Sequence, residues 1–356
     1  MKPTMMTYIH EEREVLANIL QHYPAALPSI AHKKEWLILA TGSSINAAKS
    51  AKHYIEHIAN TRITIEEPFN YQHYEKHNPA VDLVIGVSQS GESTSTINAI
   101  EYLKSHYPLT SYGVTSKPHS ELSKIVDFTV DIHIGEERVG YVTKGYVATI
   151  LTLMLIGLRS AAVNGIISKE REDAELAMLK HAVEQIPHII DDTEAFYRQW
   201  QNELNSAPRF TTIAYGPNVG TCKEMETKFS ETVRVPSQGI ELESFMHGPY
   251  FEVNAQHRIF FIEVDSIAQE RLSLLRNYEK QHTDYIYTVK LGMDDNPRTL
   301  AINAEIHELV SPLVLVIPFQ ILAHHIAEAK GNNLPQRIFT DFGVAMKSKT
   351  KPGDYA

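Results

Sequence analysis

The stretch from Asp82 to Ile100, DLVIGVSQSGESTSTINAI, constrains the fold of this chain more than any other. Leu83 to Val87 is a short apolar run rich in branched residues, the pattern of a strand buried on both faces. It stops at Ser88-Gln89-Ser90-Gly91-Glu92-Ser93, and Ile97, Ile100 and Leu103 then recur at helical spacing between Thr94 and Lys104. Strand, small-hydroxyl turn and helix make half of a βαβ unit. Open parallel sheets place their ligands at the carboxyl ends of the strands, where this turn must lie. Hydroxyls, a glycine and N–H groups at a helix start suit a phosphate, because donors and helix dipole both favour an anion. Serines before a helix are equally ordinary caps, so the turn takes its meaning from the rest of the chain.

The same grammar appears earlier. Trp36 to Ala40 reads as a buried strand, followed by Thr41-Gly42-Ser43-Ser44 and a helix from about Ile45 to Ala59. Ser43 or Ser44 either caps that helix or joins the Ser88 turn at one sheet edge. An amphipathic helix over 7–22 precedes this unit. Strands are expected at Thr61 to Glu66, Thr110 to Val114 and Phe128 to His133, with an aromatic connector at PFNYQHY (68–74). A long apolar helix over 142–163 follows, and residues 168–205 read as charged helices. Phe210 to Tyr215, a Gly216–Gly220 turn and a helix over Thr221 to Val233 loosely echo the first half. Strands at Ile259 to Val264, Tyr285 to Lys290 and Thr299 to Ile302, then a helix around Val314 to Ala329, complete a second domain. The expected fold is α/β, with two doubly wound parallel-sheet domains joined by helices. Its parts are a helical segment 1–30, a first domain 31–165, a connector 166–205, a second domain 206–335 and a tail 336–356.

Composition excludes several functions. With 43% hydrophobic and 21% charged residues over 356 positions, the chain is ordinary globular protein. A net charge of −10 argues against a general binder of nucleic acid or anionic membrane, though not against a small phosphorylated ligand. The single cysteine, Cys222, excludes a disulfide framework and a cysteine-based metal site. The start, MKPTMMTYIHEERE, lacks the apolar core of a signal peptide. The apolar run 148–158 is short, and 309–326 is broken by Pro312, Pro318, Gln320 and two histidines, so no membrane span is expected. A cytoplasmic location is the expectation.

The helix after Gly220 carries Glu224, Lys228 and Glu231, spaced four and three apart and therefore on one face. Such a stripe is commonly a solvated row of ion pairs. Here it follows a glycine turn after a buried strand, and a carboxylate oriented by an ammonium is what a general base requires. His247 sits in Glu243-Ser244-Phe245-Met246-His247-Gly248-Pro249, a turn, where a near-neutral pKa makes it a candidate proton shuttle. The pairs His53/His57 and His324/His325 read as structural, and neither a catalytic metal nor a cofactor is expected.

Together these residues are specific. The chain resembles the double sugar-isomerase (SIS) domain family, in particular the isomerase half of glucosamine-6-phosphate synthase. The matching pieces are TGSS at 41–44, SQSGES at 88–93, the Glu224–Lys228–Glu231 helix, ESFMHGP at 243–249 and SPLVLVIPFQILAHHIAEAKG at 311–331. The resemblance implies two flavodoxin-like SIS domains in which Ser43, Ser44, Ser88, Gln89, Ser90 and Ser93 hold the phosphate of a sugar phosphate. It implies that Glu231 moves a proton between sugar C1 and C2, with Glu224 and Lys228 in support. It also implies that His247 opens the sugar ring across a homodimer interface. The family's imine-forming lysine corresponds to Lys347 as the better match, with Lys349 as the alternative. No cysteine nucleophile precedes Cys222, so glutaminase activity is not expected. Stand-alone relatives include fructosamine-6-phosphate deglycases and deaminase/isomerases. The implied function is cleavage or rearrangement of the C–N bond of a phosphorylated amino sugar or fructosamine. An aldose–ketose phosphate isomerase and a non-catalytic sugar-phosphate sensor are the alternatives.

Overall fold

The structure is a computed structural model that describes residues 3–29, 32–138 and 140–350. Two compact units are present. One gathers Glu14–Ala177 with the C-terminal segment from Gln336, and the other joins the N-terminal residues up to Arg13 to Met178–Pro335. Helix α1 (Met5–His22) is thus shared between them.

In the first of these units the strands are β1 (Glu35–Ala40), β2 (Arg62–Glu66), β3 (Leu83–Val87), β4 (Thr110–Thr115) and β5 (Phe128–Asp131). Helices α2 (Ser43–Ala59), α3 (Pro68–Tyr74), α4 (Thr94–His106) and α5 (Glu121–Ile125) alternate with them, α6 (Lys144–Val163) follows, and α7 (Lys169–Glu184) belongs to this unit only up to Ala177. All pairings are parallel, in the order β2-β1-β3-β4-β5, with Ile38 opposite both Ile65 and Ile85. Every residue of β3 is buried, as a strand covered on both faces requires. Helix α6 is buried along nearly its whole length and packs on α2. At Gly157 an added Cβ would lie 2.8 Å from Ile55 Cγ2, and Ser50 and Tyr146 hydroxyls meet at 3.0 Å. Each large apolar side chain so buried contributes about 1.5–3 kcal/mol. The aromatic stretch read as a connector is the short helix α3, started by Pro68 in its first turn.

The other unit repeats the plan with α8 (Ile186–Asn205), β6 (Phe210–Ala214), α9 (Val219–Thr232), β7 (Ser237–Glu241), α10 (Leu242–Phe245), β8 (Arg258–Glu263), α11 (Gln269–Glu279), β9 (Ile286–Leu291), β10 (Thr299–Ile302), α12 (Pro312–Leu315) and α13 (Ile317–Ala329). Its strand order, β7-β6-β8-β9-β10, is that of the first sheet, and it is parallel throughout. The tail adds α14 (Phe342–Ala345) to the Glu14–Ala177 unit. Two segments, Lys144–Val163 and Pro312–Ala329, are long and apolar enough to cross a membrane. Each is 83% buried within the fold, which accounts for its composition.

Strand β7 was not expected from sequence, because Ser-Gln-Gly-Ile-Glu lacks an apolar run. It is an edge strand held by α9. Glu226 Oε2 accepts from Gly239 N at 2.8 Å, and a Cβ at Gly239 would lie 2.0 Å from the Cys222 carbonyl oxygen. Backbone cannot yield as a side-chain tip can, so Gly239 sets how closely α9 lies on the sheet. Gly239→Ala should destabilise the fold by about 1–3 kcal/mol or more, in the range of overpacked cores. Urea unfolding measures it, and a midpoint equal to that of the unsubstituted chain would refute the close approach.

Candidate active site

The carboxyl edge of the first sheet carries the serine loop. Ser88 N–H donates to Val114 O at 3.0 Å, and Gly91 N–H closes a turn onto Ser88 O at 2.9 Å. Gly91 has φ +65°, and a Cβ there would fall 1.9 Å from Ser120 Oγ, so no other residue fits without rebuilding the turn. The Gln89 carbonyl accepts from Ser116 N, Ser116 Oγ and Thr115 Oγ1 at 3.0, 2.8 and 3.1 Å. The loop is therefore fixed through its backbone, with Ser88 and Ser93 buried and Gln89 and Ser90 half-buried. At the neighbouring strand end, Gly42 (φ +56°) occupies the cap position of α2, and no side chain caps the helix. Ser43 and Ser44 are the first helical residues, not the cap. Ser93 is the cap residue of α4 and likewise makes no side-chain cap bond.

Glu137 completes this edge. Its carboxylate accepts from Thr143 N at 2.7 Å, Thr143 Oγ1 at 2.9 Å, Gly145 N at 3.1 Å and Gln89 Nε2 at 3.0 Å. It thus lies at the N-terminus of α6, where a helix favours an anion, and it orients the Gln89 amide. A Cβ at Gly145 would sit 2.3 Å from Gln89 Nε2. The sequence reading missed Glu137; an acid just before a long apolar helix was the available signal.

The C-terminal segment lies along the same loop. Ser93 and Lys349 form an antiparallel bridge, Thr94 N–H donates to Ser348 O at 3.2 Å, and Thr350 N–H to Glu92 O at 3.0 Å. Lys349 Nζ donates to Ser90 Oγ at 3.0 Å. The residue as a whole is exposed, but its ammonium ends among loop atoms. That desolvation, the largest effect, pulls its pKa below the ordinary lysine value, with Glu92 opposing and Lys117 reinforcing. Lys347, the lysine the resemblance favoured, is exposed at φ +51° in the turn after α14. It is Lys349, two residues on, that the structure brings to the serine loop.

The acidic helix belongs to the other unit. In α9, Glu224 and Lys228 are fully buried, with Lys228 Nζ 3.5 Å from Glu224 Oε1 and 2.7 Å from Glu231 Oε2. This is no solvated stripe. Only Glu231, with 39% of its side chain exposed, presents a carboxylate outward from the cluster. Its orientation is fixed by Lys228 behind it and by the helix end. Arg234, at φ +60°, donates its N–H to Phe229 O at 2.8 Å, while Asn332 Nδ2 reaches the carbonyls of Thr232 and Val233. His247 is exposed in the turn after α10. Glu241 caps that short helix through Ser244 N at 2.9 Å, and Glu243 makes a two-pronged pair with Arg271 at 2.6 and 3.1 Å.

The family model of the SIS domain matches residues 29–159. Residues 29–159 are a SIS domain. The second sheet repeats the strand order of that SIS domain, giving the chain two SIS-like folds. The glutamine–fructose-6-phosphate aminotransferase (isomerizing) of Gloeobacter violaceus is 27% identical over 305 residues, 84% of this chain. The chain spans about half the length of that relative. A Clostridium difficile structure described provisionally as a phosphosugar isomerase superposes with TM-score 0.90 at 23% identity, over 98% of this chain and 99% of that one. The structure of a glucosamine-6-phosphate deaminase from Thermotoga maritima gives TM-score 0.74 at 20% identity, covering 92% of this chain and 95% of that one.

Two substitutions test the geometry. Lys228→Met removes the ammonium that faces the buried Glu224 carboxylate and should destabilise by about 3–5 kcal/mol, the usual result of breaking a buried pair from one side. Guanidinium unfolding reads this, and a loss near zero would mean that the cluster opens to water. Gly91→Ala combines a left-handed backbone with a clash and should lower stability by about 1–3 kcal/mol while weakening any ligand of the serine loop. A variant as stable as the starting chain would show that the turn is not held as described.

Proposed function

We propose that the chain is a cytoplasmic sugar-phosphate enzyme that cleaves or rearranges the C–N bond of a phosphorylated amino sugar or fructosamine. The observation that carries this reading is the ammonium of Lys349, bonded to Ser90 in the serine loop and shifted toward its neutral form. A neutral amine attacks a ketose carbonyl to form an imine, and the imine acidifies the adjacent carbon. In this reading Ser43, Ser44, Ser88, Ser90 and Ser93, with Gln89 held by Glu137, bind the phosphate. That handle fixes the sugar so that remote binding energy serves the reacting carbons.

Glu231 is the base that moves the proton between C1 and C2. Its exposed carboxylate is oriented by Lys228, and Glu224 balances Lys228 from inside the helix face. His247, exposed in its turn, opens the sugar ring in a homodimer of this chain. Lys349 takes the imine role that the sequence resemblance gave first to Lys347, because its Nζ and not that of Lys347 is bonded to the loop.

A panel of fructosamine 6-phosphates and glucosamine 6-phosphate tests the reading. Release of a free amino acid or ammonia supports it, whereas C2 deuterium exchange without loss of nitrogen identifies an aldose–ketose isomerase. Glu231→Gln should lower kcat by about 10²–10⁴-fold, the usual range for a general base. Borohydride should trap a substrate adduct on Lys349, with adduct formation rising to a plateau below the ordinary lysine pKa of about 10.4. An adduct mapped to Lys347, or full turnover in Glu231→Gln, would overturn the assignment of roles.

A further inference from the structure

Helix α13 carries two adjacent histidines that the proposed chemistry does not use. One ring nitrogen each from His324 and His325, and a carboxylate oxygen of Glu328, lie within 4.8 Å of one another. His324 Nε2 is 3.5 Å from Glu328 Oε2. Ligands of a tetrahedral zinc with bonds of about 2.0–2.1 Å sit about 3.3 Å apart, so this pair is already near a binding separation. His324 is 5% exposed, and its Nδ1 is buried without a hydrogen-bond partner among the described residues.

The second histidine is braced from a neighbouring helix. Glu194 Oε1 lies 2.7 Å from His325 Nε2, and the Tyr197 ring stacks on His325 at 4.7 Å and 19°. Both come from α8. If His325 offers Nδ1 to a cation, Glu194 is the carboxylate that accepts from its other N–H, as protein metal ligands usually require. If it offers Nε2, Glu194 is close enough to serve as a further ligand. Glu328, with 55% of its side chain exposed, leaves an approach from solvent.

We infer that His324, His325 and Glu328, supported by Glu194, form a binding site for a borderline transition-metal dication of the zinc class. Two imidazoles and a carboxylate favour such ions over magnesium or calcium, which take all-oxygen sets. The bound ion would tie α13 to α8. It would also lie next to the contact of α13 with α9, where Thr232 Oγ1 donates to Ala323 O at 3.4 Å.

The test uses the untagged full chain, stripped with a chelator, desalted and titrated with zinc chloride by calorimetry, with magnesium chloride as control. One saturable zinc site per chain is expected, together with a higher melting temperature and no response to magnesium. His324→Ala and Glu328→Gln should each weaken zinc binding at least tenfold, whereas His53→Ala in α2 should leave it unchanged. Glu328→Gln alters a half-exposed position and keeps the test valid if His324→Ala does not fold. Cobalt chloride should give a tetrahedral visible spectrum that Glu328→Gln diminishes. Absence of saturable binding, or binding that survives Glu328→Gln and falls in His53→Ala, would overturn the site.

Discussion

A parallel sheet covered by helices on both faces has one place for polar chemistry, the carboxyl edge of its strands. Both units here obey that constraint with the same strand order. The interiors of β1, β3 and β8 are apolar and buried almost without interruption, and β6 is buried throughout. Polar groups are consequently pushed into the turns that leave those strands and onto the helices that follow, with Glu231 in the last turn of α9. The serine loop follows β3, and α9 follows β6 after the Gly216 turn.

What fixes the serine loop is its backbone. The Gln89 carbonyl takes three donors from the β4 edge, and the Gly91 carbonyl accepts from Leu122 N at 2.9 Å. Because those bonds use main-chain atoms, the hydroxyls of the loop remain available for other work. Thr96 Oγ1 donates to Ser93 Oγ at 3.1 Å and Ser90 Oγ accepts from Glu92 N at 3.3 Å, so even the internal side-chain bonds are few. A loop held in this way can present donors to an anion without losing its shape when the anion leaves.

The legible parts of the chain were those with strong local pattern. LVIGV and WLILA announce buried strands, and the three apolar positions of α4 announce a helix, so the first sheet could be read nearly strand by strand. Strand β7 could not, since an edge strand needs no apolar run and Ser237–Glu241 has only Ile240 to suggest one. Helix α11, whose mean hydropathy is low and whose buried positions are few, likewise escaped the periodic reading. At the serine loop the residue types were visible but not their engagement. That Gly42 and not a serine takes the α2 cap position depends on a backbone angle. Glu137 lies 48 residues from Gln89, and such a partnership is tertiary information. The choice between Lys347 and Lys349 turns on how the chain leaves α14, which no spacing rule encodes.

The two lysines at the heart of the proposal show how environment divides one side chain between two tasks. Lys228 is buried and lies against two carboxylates, so its charge is compensated in the interior by Glu224 and at the surface by Glu231. It can position a base, and it is badly placed to act as a nucleophile. Lys349 has a serine hydroxyl at its ammonium, with Glu92 and Lys117 acting in opposite senses. Desolvation without a strong counter-charge favours the neutral amine, the form that attacks a carbonyl. The same logic suits the lysine proposed as reactive to the extended tail better than to a sheet-packed helix. A group that must bond covalently to a ligand and then release it needs a short antiparallel bridge, such as Ser93 to Lys349, that holds it without enclosing it.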